Sequence, residues 1–466
     1  MSQNSIIIQN PLPFFIEPIM KKHVLTGKYS SGKVHPILLD GFLNKLIISF
    51  DNEELVNSFI NEFNGKYFND KFDYQLKIEK NEKSVEDIQK EVDEKKTKEE
   101  PYNFQIKYEN EWKNDYVNSP EKEGLLCVNE QEKNKIYKTF KFLITKFGKN
   151  LFEGKSIINV SFPIFLYDKR AYGQVLAYEM RTLPYFITRA CFAKDKIEKL
   201  KWIVIHLFSL LHITTIQTQP FKPVLGETFQ CKIGDLFFYV ENTKREPLIN
   251  HFYGFDENKN YKIYGYQISD ISTGPNSILA SKLGKFYIEL KDGTKYLLRF
   301  PNVSLKGISF GDRLFNYVDK ALVVDLTNNL TAFIEMNPDE VGFLMSFFRN
   351  KNTFPDYFKG QIVDSSFVII DEEGCDHILK TGAECLYKIE GEWTSYIKFD
   401  GEEYWDINDY KLIQMYHYGY MLPSDSSLRL DLISFINDDL EKSQIEKEKN
   451  EENEERDDEL RKKYNE

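Results

Sequence analysis

Apolar residues recur at helical spacing in the first half of the chain and near its end, and alternate with a period of two in between. In "GFLNKLIISFDNEELVNSFINEF", Leu43 to Phe50 reads as a strand. An amphipathic helix follows, with Leu55, Val56, Phe59, Ile60 and Phe63 on one stripe. From Lys135, the residues Ile136, Tyr137, Phe140, Leu143, Ile144 and Phe147 keep helical spacing, with Lys135, Lys138, Lys141, Lys146 and Lys149 among them and Gly148 as a stop. A basic amphipathic helix is predicted there. Two more helices are predicted near Tyr172 to Met180 and Lys194 to His212, the second apolar enough to pack on a sheet. From Phe229 to about Tyr418 the pattern changes to short alternating runs such as "LFFYVEN", "YKIYGYQI" and "KFYIELKDGTKYLLRF", the last with an Asp-Gly hairpin signal. So many strands in series predict a meandering antiparallel sheet, for which closure into a barrel removes exposed edges. After Pro423 the pattern is helical again, with Ser426 or Ser427 as cap and Leu428, Leu432, Phe435, Ile436 and Leu440 as the apolar face. Beyond Gln444 almost every residue is charged, which reads as a solvated helix extension, a frayed tail, or both.

At 466 residues the chain is longer than a usual single domain. The run "KNEKSVEDIQKEVDEKKTKEE", Lys80 to Glu100, divides it, as a linker or a solvated helix. A net charge of -12 argues against nucleic acid as a partner, because phosphate contacts need a concentrated basic surface. Five scattered cysteines without a CxxC pair favour reduced thiols and a cytosolic setting. The N-terminus, broken by Pro11, Pro13 and Pro18, does not read as a signal peptide, and "WIVIHLFSLLHI" is too short to span a bilayer. Any membrane contact is therefore expected to be peripheral.

The sequence contains no GxSxG elbow, P-loop, HExxH, or GxGxxG after a strand. Cys375, His377 and Cys385 lack a fourth ligand at finger-like spacing, so no metal and no cofactor are expected. A barrel without chemistry holds something or presents a surface. With 15% aromatic residues and a basic helix nearby, an apolar ligand taken from a membrane is the natural cargo.

"PFKPVLGETFQ", after the second of those predicted helices, closely resembles the PFNPxLGE element of the oxysterol-binding protein family. In the same order, "SFPIFLYDKRAYGQVLAYEM" resembles the segment after that family's lid, "IEGEWTSYIKF" its Gly-x-Trp strand, and "LPSDSSLRLD" its PTDSRLRPD element. The resemblance covers roughly residues 135–456 and implies a mainly antiparallel α+β fold: an incomplete β-barrel enclosing a lipid tunnel, with an N-terminal lid helix and C-terminal helices. It makes Ile136, Tyr137, Phe140, Leu143, Ile144 and Phe147 lid and tunnel candidates. Pro220, Pro223, Gly226, Glu227, Pro247 and Trp393 become motif residues of structural importance. Upstream, the 43–63 strand and helix resemble the closing elements of a pleckstrin-homology domain, but too few residues precede them for its strands; a small αβ appendage fits equally.

The departures from the family concern the lipid head group. Its EQVSHHPPISAF motif is "ENTKREPLINHF" here, with Arg245 and Glu246 in place of the histidine pair. The Lys before the PFNP element is Gln219, and that element's Asn is Lys222. The Lys-x3-Glu-x3-Arg pattern of the last helix appears as Lys447, Glu451 and Glu455, with Arg456 one position late and so turned about 100° around a helix. Two readings compete. Lys222, Lys244, Arg245 and Lys447, with Glu451, rebuild a phosphate site; or Glu246 and Glu455 place carboxylates where phosphate would sit.

The expected organisation is an αβ region over 1–79, a charged linker over 80–130, and a lipid-binding domain over 131–466. Within the last, 131–152 is the lid, 153–222 a helical layer, 223–422 the barrel and 423–466 the C-terminal helix and tail. The expected function is extraction and transfer of a sterol or glycerophospholipid, with phosphatidylinositol 4-phosphate as a candidate exchange ligand, at organelle membranes or contact sites. The alternative is a non-transporting, lipid-regulated scaffold.

Overall fold

The computed structural model describes residues 4–94, 115–148, 157–338 and 354–465, apart from 10, 13–14, 16, 40–41, 70, 119–123, 158–159, 216–218, 371–376 and 418–419. Its described helices are α1 (Glu17–His23), α2 (Glu53–Phe63), α3 (Val85–Glu94), α4 (Glu130–Phe147), α5 (Tyr172–Glu179), α6 (Leu183–Phe192), α7 (Lys196–Ser209), α8 (Leu430–Ile436) and α9 (Leu440–Asn465).

The N-terminal region forms a four-stranded antiparallel sheet in the order Lys33–Leu39, Phe42–Ser49, Ser5–Ile8, Ile78–Asn81. Strand alternation splits its isoleucines between two faces. Ile6, Ile8 and Ile48 join the main core with Val56 and Phe59 of α2, whereas Ile7, Ile37 and Ile47 are covered by Ile88 and Val92 of α3. The 85–94 part of the charged run is thus neither linker nor free helix: two buried apolar residues a helical turn apart clamp it to a sheet. Residues 95–100 of that run lie outside the described residues. The region docks on the rest of the chain through Phe72 against Trp202 and Tyr74 edge-on to Phe192, with Asp73 N–H donating to the Phe192 carbonyl.

In the larger body, strands Thr228–Ile233, Leu236–Lys244, Ile249–Asp256, Tyr261–Gly274 and Ser277–Leu290 form an antiparallel meander. The sheet then forks. One end of Ser277–Leu290 pairs with Lys295–Arg299, the other with Asn302–Lys306. The first branch continues through Lys320–Asp325, Leu330–Met336, Tyr357–Asp364, Tyr387–Glu392 and Tyr396–Phe399 to Glu402–Asp406. The second runs through Leu314–Val318 to Leu125–Cys127 and Tyr116–Val117. The sheet curls round as a barrel. Among the described residues, however, no ladder joins Glu402–Asp406 to Met415–Tyr416, the strand beside Thr228–Ile233, so the wall is incomplete.

α5 packs on Leu236–Lys244 and α7 on Lys320–Asp325. α7 is almost wholly buried, as its apolar composition predicts; α6 lies between the two expected helices, with Pro184 in its first turn, where a missing N–H costs nothing. The C-terminal turn is capped by Asp425, whose carboxylate accepts from Ser427 N–H, and not by Ser426 or Ser427. Leu432 and Phe435 are buried, while Leu428, Ile436 and Leu440 of the expected apolar face are exposed. α9 continues the charged tail as helix, and Lys447 and Glu454 are buried along it.

Candidate functional site: a tunnel and a charged pocket beside it

Between the curled sheet and the helical layer lies a cavity of about 280 Å³. Its walls are mostly apolar, with Leu176 and Ile213 on one side and Ile271, Ile278, Val303 and Leu305 on the other. α4 covers it. At 100° per residue, Ile136, Thr139 and Leu143 share one face, and all three line the cavity. Phe140 is buried on that face without lining the cavity, and Phe147 is half-buried against the core. Tyr137 and Ile144 are turned outward and are 48% and 42% exposed, so as tunnel residues they are corrected to the outer face. Lys135 also departs from expectation. It lines the cavity and donates to the Tyr167 carbonyl, and burial depresses its pKa.

A few polar groups interrupt the apolar wall. Gln267 Nε2 donates to the Tyr172 hydroxyl at 2.8 Å, and Tyr172 and Ser269 share a hydroxyl hydrogen bond. The Tyr317 hydroxyl donates to the Leu211 carbonyl at 2.9 Å and meets Thr214. Burial raises the pKa of both phenols, keeping them neutral donors. Lys282 and Glu179 form an ion pair in the wall, 2.5 Å apart. The sequence reading missed these residues. Ser269 and Lys282 are cross-strand partners, so only the register between two long strands reveals that they meet. Trp393 does not line the cavity; it is buried behind the wall, edge-on to Tyr317 at 5.0 Å.

Beside the tunnel, the PFKPVLGE element meets the C-terminal helices. Gly226 sits at φ +84, where a side chain would strain the backbone, and its N–H donates to the Asn242 carbonyl at 2.8 Å. That turn directs Glu227 inward, where its carboxylate accepts from Val224 N–H and pairs with Arg429 Nη1 at 2.7 Å. Arg429 also grips Asp431, with Nη2 to Oδ2 at 2.7 Å, and donates to the Lys222 carbonyl. Two motifs far apart in sequence are thereby locked together. Burial raises the pKa of Glu227 despite Arg429; at Asp431 the guanidinium outweighs burial and holds the carboxyl below its ordinary value. Pro220 lines the tunnel, Pro223 lines this second pocket, and Pro247 is exposed.

The cations proposed for a head group are spread around the same pocket. Lys447, 4% exposed, lies 2.9 Å from Glu451 and donates to the Ser161 hydroxyl. Lys222 Nζ is 3.7 Å from Glu454, Arg245 Nε is 3.6 Å from the same carboxylate, and Arg245 Nη2 is 3.2 Å from Glu455. Lys244 is exposed and does not line the pocket. The inward carboxylate is Glu454; Glu455, one residue on, lies at the rim with its side chain 63% exposed. Arg456 is solvent-facing beside Asp457. The remaining space is about 20 Å³, enough for a water and too small for a phosphate group. Among the described residues no three metal-ligating side chains converge; Cys375 lies outside them, His377 is buried and Cys385 exposed.

A curled antiparallel sheet around an apolar, helix-covered cavity is a tunnel-type architecture. The family model described as oxysterol-binding protein matches residues 144–466, and the chain belongs to that family. Oxysterol-binding protein 9 of Dictyostelium discoideum is 30% identical over 298 residues, covering 62% of this chain and 68% of the relative. Protein kes1 of Schizosaccharomyces pombe is 24% identical, covering 43% of this chain and 49% of its own length, so the chain spans about half of that relative. Among solved structures, the Saccharomyces cerevisiae Osh3 ORD in complex with PI(4)P aligns with a TM-score of 0.51 at 18% identity, covering 66% of this chain and 81% of that one. The Osh1 ORD in complex with ergosterol also aligns at 0.51, with 15% identity, covering 72% and 90%. These likenesses establish the fold. Among the described residues, no helix is long and apolar enough to cross a membrane.

Proposed function

We propose that the chain binds a sterol-class lipid, a rigid apolar body with a single hydroxyl, in the tunnel beneath α4 and carries it between membranes on which it docks peripherally. The observation that carries this reading is the cavity itself: mostly apolar walls, hydroxyl, amide and paired charged groups that satisfy one another, and a helical cover presenting Ile136 and Leu143. Opening α4 would expose this face to a bilayer and release the ligand, a gating step without covalent chemistry. Relatives solved with ergosterol and with cholesterol support the same class of cargo. The neighbour solved with PI(4)P supports a phosphoinositide as a second ligand; its phosphate would have to displace Glu454 from Lys222 and Arg245, since the pocket beside the tunnel holds only about 20 Å³.

The test is transfer of a fluorescent sterol from donor to acceptor vesicles. Saturable binding near one sterol per chain and protein-dependent transfer are expected. Folded protein that neither binds nor moves sterol would overturn the proposal. A non-transporting, lipid-regulated scaffold would then be favoured, a reading for which the charge-compensated pocket beside the tunnel gives a specific reason.

A further inference from the structure

We propose that the outward side of α8, with Phe165 beside it, is a docking surface for a lipid bilayer: a fixed apolar foot next to the tunnel cover that holds the chain on the membrane while α4 opens. This inference rests on the tunnel being a lipid site, and names the surface through which that site meets its source.

The two sides of α8 do not divide as those of a surface helix do. At 100° per residue, Asp431, Leu432, Ser434 and Phe435 fall on one side and are buried. Leu430, Ile433 and Ile436 fall on the other and are exposed, Leu430 by 56%. Arg429 sets this rotation, because its fork holds Asp431 Oδ2 at 2.7 Å and draws that carboxylate inward. Single exposed apolar residues need no explanation. A helix that is apolar on its outer side as well as its inner one is ordinarily covered on both.

The patch continues toward the tunnel. Lys169 Nζ donates to the Ile436 carbonyl at 3.2 Å and pairs with Asp438 at 3.1 Å, tying the end of α8 to strand Tyr167–Ala171. That strand follows the turn Ile164–Leu166, which packs on both α4 and α9. Within the turn Leu166 lines the cavity, while Phe165 beside it is 56% exposed. The outer side of α4 adds Tyr137 and Ile144 and the exposed Lys138 and Lys141. Large apolar side chains with lysines among them suit the boundary between water and an acyl layer, and the lysines favour an anionic one. A ligand released from beneath α4 leaves on this side. α4 must move for that passage, whereas α8 is pinned to the body through Arg429, Glu227 and Asp431.

The test compares the full-length parent with the variant Leu430→Gln, Ile433→Gln and with Phe165→Gln, which remove apolar surface without adding charge. Binding is measured by co-sedimentation with sterol-free vesicles of phosphatidylcholine and phosphatidylserine. Sterol loading is measured from a cyclodextrin complex with no membrane present, fold by thermal melting, and size by sedimentation velocity. The double variant is expected to bind vesicles roughly tenfold more weakly than the parent, Phe165→Gln to lose less, and both to load sterol as the parent does. A folded double variant that binds vesicles as tightly as the parent would overturn the proposal and leave the patch to a protein partner. A parent that sediments as a dimer and a variant that sediments as a monomer would overturn it in favour of a second copy of this chain. Loss of cyclodextrin-fed loading in the double variant would overturn it too, because the residues would then belong to the tunnel. A parent that takes no sterol from cyclodextrin contradicts the cargo, while vesicle binding of parent and variants still decides the docking surface.

Discussion

Replacing Arg429 with Met should destabilise the lipid-binding body more than any surface change. The guanidinium holds two carboxylates, Glu227 at 2.7 Å and Asp431 at 2.7 Å, and all three side chains are at most 9% exposed. Burial opposes the charge of Arg429, but Glu227 and Asp431 outweigh it and raise its pKa. Such a group is costly to assemble and more costly to break, because removing the cation strands two buried anions. The expected loss is about 3–5 kcal/mol. For a body of this size that corresponds to a drop in Tm of roughly 4–7 °C. Arg429→Lys keeps the charge but loses the fork that reaches both carboxylates and the Lys222 carbonyl, so it should fall between parent and Met variant. A triple variant, Arg429→Met with Glu227→Met and Asp431→Asn, should recover much of the loss, since no member of the cluster is then left buried with an unpaired charge. The assay is thermal and urea unfolding at pH 7. An Arg429→Met protein within about 1 kcal/mol of the parent would refute the argument that the pairing locks the two motifs.

Three further outcomes are expected. Leu143→Glu, on the cavity side of α4, should abolish sterol loading, whereas Ile144→Glu, on its outer face, should leave equilibrium loading nearly intact; equal loss in both would contradict the assigned faces. His206 is fully buried, both ring nitrogens lack hydrogen bonds, and burial pushes its pKa down to about 3. The unfolded chain binds that proton below about pH 6.5 and the native chain does not, so stability falls as pH falls through that range. His206→Leu should therefore lessen the stability lost between pH 7 and pH 5 by about 2 kcal/mol, and an unchanged pH slope would contradict it. Trp393→Ala should loosen the tunnel wall behind Tyr317, with a cost of about 3–5 kcal/mol in urea unfolding.

Much of the fold was legible because local chemistry and global structure agree. The Asp292-Gly293 signal sits in the tight turn between Ser277–Leu290 and Lys295–Arg299, with Gly293 at φ +87. The apolar row of α2 appears as a face at the spacing the sequence shows, and Ile136, Phe140 and Leu143 do so in α4. The fork in the sheet was not legible. Leu314–Val318 pairs with Leu125–Cys127, a short run ahead of α4 whose three residues carry no alternation to read. The site was half legible for a similar reason. Of the cations the resemblance nominated, Lys222 and Lys447 line the charged pocket and Lys244 does not; which carboxylate of "NEENEER" points inward depends on the rotation of α9, and one residue, 100°, separates buried Glu454 from rim Glu455. The polar groups of the tunnel depend on strand register and on helix α5 meeting the sheet, neither of which a single sequence encodes locally.

The most direct measurement is native mass spectrometry of the purified chain after incubation with liposomes containing sterol, phosphatidylserine and phosphatidylinositol 4-phosphate together. An apolar tunnel beneath α4 predicts one sterol per chain. Folded protein that takes up no sterol under any loading would contradict it.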